Sequence, residues 1–397
     1  MGFFGRKRAP SVPHPRKEPR FNGPLTLERL EQIFQDCVDF TKRPVSLGEG
    51  GACTLTLCYL SGMVKMERVS DYVLRPLAQD EALARCGTPR QAMEEMMGGA
   101  LYNLSAAERT TLDEAAFDLV AGWCLLFFPG ESAVLSLFVG TEEKRSISSP
   151  SNETVLKGSR DAFVESLRTN TSIVRRHLKA PELRIREQVV GRQSVTSVDI
   201  LYIEGLTNPH LVEQVAAQLA DIDIDAVLAT GNIEEYIVPA ARTAFPLVQY
   251  TERSDRFCAG LAEGRVGILI DGLPLGYLAP GVLGDFLQAP QDKSESWLLA
   301  SALTLLRYLC MLGTLLLPAL YVAMVTFHQE MIPTRLALSI IAAKQDVPFR
   351  SVFEVIVLLL AFEILQEAGL RLPQSIGQTV SIIGGLVVGS AAVEAKI

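Results

Sequence analysis

Tyr308 to Phe327 reads YLCMLGTLLLPALYVAMVTF, 20 residues without a charge. About 20 apolar residues in a helix cross the ~30 Å hydrocarbon core of a bilayer, so this stretch reads as a membrane span. Trp297 and Tyr308 stand near its start, where amphipathic rings favour the headgroup level. Pro318 falls in mid-span and predicts a kink, tolerated where neighbouring helices satisfy the carbonyl it frees.

Two further segments lie C-terminal to it. Phe349–Ala368, FRSVFEVIVLLLAFEILQEA, follows Pro348, and Gly369 stands where a helix C′ glycine is expected. It carries Glu354, Glu363 and Glu367. At 100° per residue Glu363 and Glu367 share a face and Glu354 lies opposite. A carboxylate facing lipid costs several kcal/mol. Either these groups sit at the headgroups near the helix ends, or they face an ion or proton path. Gln374–Val393, QSIGQTVSIIGGLVVGSAAV, is a second uncharged run of 20. Gly377, Ser381, Gly385 and Gly389 recur on one face, a stripe that lets helix backbones pack closely in lipid. The same face, with polar Gln378, also fits a path lining. Glu354, Glu363 and Gln378 are thus the candidate ion-path residues. Gly377, Ser381, Gly385 and Gly389 are the candidate packing face, and Pro318 is the candidate kink. The short linker Gly369–Pro373 predicts an antiparallel hairpin. Pro333–Gln345, with Thr334 as an N-cap, reads as a short interfacial helix.

N-terminal to the first span the pattern changes. Residues 1–20 hold Arg6, Lys7, Arg8, Arg16, Lys17 and Arg20 among four prolines, with no apolar signal core after them. This basic start keeps the following ~290 residues on the cytoplasmic side. Residues 25–295 read as soluble α/β. Helical periodicity covers Leu25–Phe40, Asp161–Leu178 and Pro209–Ala220. Strands are predicted at Cys53–Leu60, Trp123–Phe128, Ala133–Val139, Val198–Ile203, Arg265–Ile270 and Leu275–Leu278, the last two turning at Asp271-Gly272. The polar stretch Ser146–Glu153 marks a boundary. The halves match: Tyr59-Leu60-Ser61-Gly62 corresponds to Tyr202-Ile203-Glu204-Gly205, and the run ending at Gly130 to the run ending at Gly272, which predicts a duplicated unit. The fold expected is an α/β soluble N-terminal region of two similar subdomains, followed by an α-helical transmembrane domain. The divisions expected are a basic flexible tail (1–24), a first subdomain (25–148), a second (149–295) and a membrane domain (296–397) with spans near 308–327, 349–368 and 374–393.

Across 397 residues, 48% are hydrophobic and the net charge is −8, with mean hydropathy +0.23. That apolar fraction excludes a disordered chain, and the lack of a basic surplus argues against a nucleic-acid partner. No phosphate-binding G-x-x-x-x-G-K-[ST] loop is present, and Gly48-Glu49-Gly50-Gly51 lacks dinucleotide-binding spacing. Four scattered histidines and seven cysteines without a C-x-x-C pair point to no metal, no redox dithiol and no cofactor. A calcium loop starting at Asp221 would need Gly at position 226 and Glu at 232, where Ala226 and Asn232 stand. Arg160, Arg168, Arg175, Arg176, His177, Arg184, Arg186 and Arg192 form a locally basic zone. It is either a solvated face paired with nearby acids or a surface for an acidic partner or anionic headgroups.

The order of short motifs resembles one family. Gly158-Ser159-Arg160 with Phe163, Leu167-Arg168-Thr169-Asn170 and Arg175-Arg176 come first, then Tyr202-Ile203-Glu204-Gly205 and Ile222-Asp223-Ile224-Asp225. Gln249-Tyr250-Thr251-Glu252-Arg253 with Asp255, Glu263-Gly264-Arg265 and Asp271-Gly272 follow. The membrane part adds Leu317-Pro318-Ala319-Leu320-Tyr321, Pro333-Thr334, Val347-Pro348-Phe349, Glu367-Ala368-Gly369, Ile376-Gly377-Gln378-Thr379 and Gly384-Gly385-Leu386-Val387. From about Ser151 onward the chain is similar to the A subunit of GerA-type spore germination receptors. The resemblance implies a subunit in the spore inner membrane with its N-terminal domain facing the core. It implies a permease-like B subunit and a lipoprotein C subunit as partners, and nutrient sensing rather than catalysis. It also implies a homo-oligomer forming a ligand-gated cation channel. Ser254 and Gln329 stand where the family has prolines. The chain stops at Ile397, where the family continues into at least one more span and a tail, so a truncated chain is expected. Two other readings stay open: an ion-coupled transporter component with a cytosolic regulatory domain, and a soluble α/β enzyme tethered by helices.

Overall fold

The most apolar strands become the centres of two sheets. The computed structural model describes residues 19–47, 54–84, 86, 88–101, 105–140, 161–227, 235–238, 245–289, 291–292, 295–345, 348–371 and 390. The tail up to Glu18, Gly48–Gly51, Ser146–Glu153, Gly158-Ser159-Arg160 and Gln374–Val393 apart from Ser390 lie outside the described residues. The chain divides into two units, Met1–Ser296 and Trp297–Ile397.

The first unit holds two subdomains. In the first, α1 (Leu27–Ile33) precedes β1 (Phe40–Ser46) and β2 (Thr54–Leu60). A run of short helices between Met66 and Ala100 leads to β3 (Ala106–Arg109), α2 (Leu112–Val120), β4 (Trp123–Phe127) and β5 (Val134–Phe138). In the second, α3 (Leu167–His177), β6 (Leu183–Val190), β7 (Thr196–Ile203), α4 (Pro209–Ala220), β8 (Gln249–Thr251), α5 (Ser254–Ala262), β9 (Val266–Ile270), β10 (Gly276–Ala279) and α6 (Leu283–Leu287) follow. Both sheets are antiparallel, and their strand orders are β1-β2-β4-β5-β3 and β6-β7-β9-β10-β8. Taken in sequence order these are one topology used twice, so the duplicated unit expected from the sequence is present. Glycines with positive φ recur at matching turns: Gly62 and Gly205 (+84°, +78°), Gly122 and Gly264 (+88°, +89°), and Gly130 and Gly272 (+80°, +82°). Each sits where a Cβ disfavours the left-handed region.

Both faces of each sheet are covered. In the first, Leu57, Tyr59, Leu126 and Leu135 pack under the short helices, while Cys58, Leu60 and Leu125 pack under α1 and α2. In the second, Ile200, Ile268 and Tyr277 meet α4, while Leu201, Leu269 and Leu278 meet α3 and α5. Helix starts are set locally. The Thr26, Thr111 and Asn208 side chains accept from the backbone N–H of Arg29, Glu114 and His210, which satisfies otherwise orphaned donors.

Several sequence expectations change. Helix over Leu25–Phe40 reduces to Leu27–Ile33, because Phe40 enters β1 and Cys37 bridges to Ile185. Helix over Asp161–Leu178 begins only at Leu167. The Asn170 side chain holds the preceding segment extended, accepting from Val164 N at 2.8 Å and donating to Val164 O at 2.6 Å. The strands at the sheet edges, β1, β3, β6 and β8, are additional to those expected.

In the second unit, α7 (Trp297–Phe327) is 31 residues long with Pro318 inside it, followed by α8 (Thr334–Lys344) and α9 (Ser351–Arg371). Among the described residues, α7 is the one helix long and apolar enough to cross a membrane. Pro333 rather than Thr334 holds the N-cap position of α8, and α9 runs through Gly369 to Arg371 instead of stopping there.

Glycine geometry gives a direct check. A Cβ on Gly122 would sit 3.0 Å from Met63 O and 3.1 Å from Gly140 Cα, whereas one on Gly130 meets open space. Gly122→Ala should cost roughly 2–3 kcal/mol and Gly130→Ala about 1 kcal/mol, by urea unfolding of residues 1–296. Equal losses would show that close approach is not what fixes Gly122.

Candidate functional site

Helix α3 carries the residues that join the two subdomains. Arg168 and Arg175 are seven positions apart and so share a face, with Thr171 and Ser172 between them. Arg175 is fully buried. Its Nε donates to Asp39 Oδ2 at 2.7 Å, Nη2 to Asp39 Oδ1 at 2.9 Å and Nη1 to Leu183 O at 3.1 Å. Asp39 belongs to the first subdomain and is itself 3% exposed. Burial alone would pull the guanidinium down, but the Asp39 charge reverses this and Arg175 stays a cation. Around this pair, Ile185 N donates to Asp36 O and Val38 N to Ile185 O, both at 3.0 Å, so a turn of the first subdomain extends the β6 edge. Tyr202 Oη bonds Asp36 at 3.2 Å, and Arg20 pairs with Glu182 at 3.1 Å.

Beside the clamp lies Asp199 on β7, fully buried. Its Oδ2 accepts from Thr171 Oγ1 at 3.1 Å and Arg168 Nη1 at 3.4 Å, while Oδ1 has no hydrogen-bond partner. Burial pushes this carboxyl up to about 6 against the pull of Arg168 and Thr171, with Glu187 and Asp39 adding to the rise. Arg168 also reaches Glu187 at 2.7 Å.

Within the described part of the basic zone, five arginines pair with acids: Arg168 and Arg175 as above, and three more. Arg184 meets Glu204, Arg186 meets Glu213 at 2.8 Å and Arg192 meets Asp223 at 2.6 Å. Arg176 donates to Ser172 O. At the end of α3, His177 Nε2 lies 3.2 Å from Ser254 Oγ and 3.5 Å from Asp161 Oδ2. Both neighbours meet the same ring nitrogen, whereas a nucleophilic triad needs opposite nitrogens. This contact ties the end of α3 to the start of α5 and offers no relay. Among the described residues no group of His, Cys, Asp and Glu is arranged to hold a metal.

A second charged cluster lies at the far edge of the second sheet. Arg265 pairs with both Asp285 oxygens at 2.6 and 2.8 Å and with Glu263 at 3.0 Å. Burial would raise Asp285, but Arg265 holds it below the usual carboxylate range. The pair borders a cavity of about 200 Å³ lined also by Gln249, Asp255, Arg256 and Gly260. In the first subdomain the position 142 before Gly260 is Asp118, which instead receives Arg109 at 2.7 Å and Ser136 at 2.7 Å.

The sequence-derived site residues lie elsewhere. Glu354, in the first turn of α9, is 3.2 Å from Lys344 Nζ at the end of α8. Lys344 also donates to Ser351 Oγ at 2.5 Å and stands over the Tyr321 ring of α7 at 5.4 Å. Glu363 and Glu367 are exposed on α9. Gln378 and the stripe Gly377, Ser381, Gly385 and Gly389 are outside the described residues. Sequence reasoning did not single out Asp39, Asp199 or Lys344. The lone Asp199 in the apolar run Val198–Ile203 was the available signal for a buried charge with a partner.

The GerA family, described as Bacillus/Clostridium GerA spore germination protein, matches the chain over residues 28–397. A membrane protein of Bacillus subtilis (strain 168), YfkQ, named as uncharacterized, is 38% identical over 371 residues, covering 94% of this chain and 71% of its own. Spore germination protein KA of the same organism is 37% identical, over 90% of this chain and 65% of its own length. Spore germination protein A1 is 34% identical, over 85% and 68%. The chain thus spans about two thirds of these relatives. The crystal structure of the N-terminal domain of the A subunit of the Bacillus megaterium spore germinant receptor GerK3 aligns with TM-score 0.52 and 26% identity, over 66% of this chain and 99% of that one.

The clamp and its neighbour yield separate tests. Asp39→Asn leaves Arg175 buried without its charge partner and should cost about 3–5 kcal/mol in urea unfolding of residues 1–296. A loss under 1 kcal/mol would mean the seam does not depend on the pair. Asp199 has a raised folded-state pKa, so its stabilising share is present at low pH and lost as pH rises from about 4 through 6. The stability of wild type relative to Asp199→Asn should therefore fall by about 2 kcal/mol between pH 4 and 7.5. A pH-independent difference would reject the assignment.

Proposed function

Because the chain belongs to the GerA family of Bacillus/Clostridium spore germination proteins, we propose that it acts as the A subunit of a nutrient germinant receptor. The observation that carries this reading is the extent of the family match, which runs from residue 28 to residue 397 and so covers both units. The likeness to a germinant-receptor A-subunit N-terminal domain supports it for the soluble unit, and α7 supports a membrane location. In this reading the chain is integral to the spore inner membrane, with residues 1–296 on the core side. A permease-like B subunit and a lipoprotein C subunit are its partners.

The chain's part in the mechanism is a shift between two helix arrangements, one of which conducts cations through an oligomer. A partner that carries the nutrient biases that equilibrium only by its differential affinity for the two arrangements. Moving it from 1:99 to 99:1 takes about 5.5 kcal/mol. Glu363 is the carboxylate proposed to face the path, because its exposure on an apolar helix would cost several kcal/mol against lipid. Glu354 is paired with Lys344 and is assigned to holding α8 against α9. Gly377, Ser381, Gly385 and Gly389 are proposed to pack helices between copies.

Spores lacking this chain should lose the response to at least one nutrient while still germinating through a trigger that bypasses nutrients. Retention of every nutrient response would reject the receptor role. In reconstituted vesicles with the B and C subunits, nutrient should evoke cation flux that Glu363→Gln lowers at least tenfold. Substrate-coupled uptake in place of that flux would favour a transporter. Gly385→Leu should shrink the oligomer on a detergent sizing column, and an unchanged elution volume would remove the packing claim.

A further inference from the structure

The short helix α6 has its polarity inverted. Its one charged side chain, Asp285, is 8% exposed and turned into the protein, while Leu283 and Phe286 and the preceding Val282 face solvent at 53%, 41% and 55%. The helix cannot roll to hide them. Asp285 binds Arg265 through both oxygens and also accepts from Val282 N at 2.9 Å. Just upstream, Gly281 N donates to Leu247 O, and a Cβ at Gly281 would lie 3.2 Å from that carbonyl. The outward apolar face is thus fixed by a bidentate ion pair on one side and a tight backbone contact on the other.

We propose that Val282, Leu283 and Phe286 dock the soluble unit onto the lipid surface. The proposal rests on α7 lying in the membrane. Phe286 precedes Trp297, the first residue of α7, by eleven positions, and eleven residues extend to at most about 40 Å. The linker therefore limits the patch to a short distance from the start of α7, so docking on the bilayer that α7 enters needs no long excursion. Lipid fits this patch better than a protein partner. Three side chains offer much less than the roughly 800 Å² per partner of a standard protein interface. A tethered segment needs far less area, because the tether already supplies a high effective concentration at the surface. Apolar side chains on one face of an interfacial segment bury at the acyl–headgroup boundary, with binding strength scaling with the apolar area buried.

The test uses the full chain in phosphatidylethanolamine–phosphatidylglycerol vesicles with and without lipids brominated near the headgroup. Phe286→Trp in a Trp297→Phe background supplies the reporter, with Trp123, 5% exposed, as internal background. Val189→Trp in the same background is the control, since Val189 is 58% exposed on β6, at the opposite edge of the sheet. Bromination should lower the Phe286→Trp emission at least twofold and leave Val189→Trp unchanged. Equal quenching of the two overturns the docking. So does a blue shift without quenching, which marks coverage by protein, a second copy included. An alkaline carbonate wash of the same vesicles separates the two readings. A chain retained in the pellet with unquenched Phe286→Trp defeats docking alone, whereas a chain released by the wash defeats the membrane reading of α7 and the docking with it.

Discussion

The bidentate contact of Arg175 with Asp39 fixes how the two subdomains of the first unit are assembled. Each ion loses several kcal/mol of hydration on burial, and the Coulomb attraction offsets this only when geometry is close. Such a pair adds little net stability over an apolar contact, yet it tolerates no misfit. With Nε and Nη2 on one carboxylate and Nη1 on the Leu183 carbonyl, α3 has one rotation and one depth relative to the first subdomain. Other features follow from that seating. The Asp36–Val38 turn reaches the β6 edge, which would otherwise present unpaired backbone groups. Gly62 lies so close to α3 that a Cβ would meet Ser172 Cβ at 3.1 Å. Asp199 is sealed beneath Arg168 and Thr171 with one oxygen unsatisfied.

The two subdomains show what a repeated topology leaves free. Their strand orders and positive-φ glycines agree, so turn geometry and sheet pairing are held in common. The side chains between helix and sheet differ. Asp118 and Ser136 form a polar pair with Arg109 in one half, while Gly260 and Leu278 meet in the other, where a Cβ on Gly260 would lie 2.5 Å from Leu278 Cδ1. The volume given up by the glycine is filled by the leucine, in keeping with the close packing of interiors. Beside that exchange the second half keeps the Arg265–Asp285 cluster that orients α6.

In the second unit, sequence pattern and geometry assign the carboxylates different surroundings. Glu354 is neutralised by Lys344, which also rests on Tyr321, so α7, α8 and α9 meet at one charged corner. Lys344 closes α8 and Glu354 lies in the first turn of α9, positions that suit a cation and an anion respectively. Glu363 stands apart from that corner on the apolar length of α9.

What the sequence alone determined is the part governed by local hydrophobicity and turn chemistry. All six strands legible in it, β2, β4, β5, β7, β9 and β10, are central in their sheets. Central strands covered on both faces are continuous apolar runs, visible without any neighbour. The duplication was legible in its glycine turns, and α7 in its uncharged length. The four strands that escaped, β1, β3, β6 and β8, are all edges. Sequences such as FTKRPVS and QYT are mixed in polarity and become strands by pairing with a partner already in place. The clamp escaped for the same reason. Asp39 and Arg175 are 136 positions apart, and neither carries a local sign that the other will be its partner. Only the tertiary fold, by bringing α3 against the turn before β1 and excluding water from both charges, turned an arginine in a basic stretch into the pin between two subdomains.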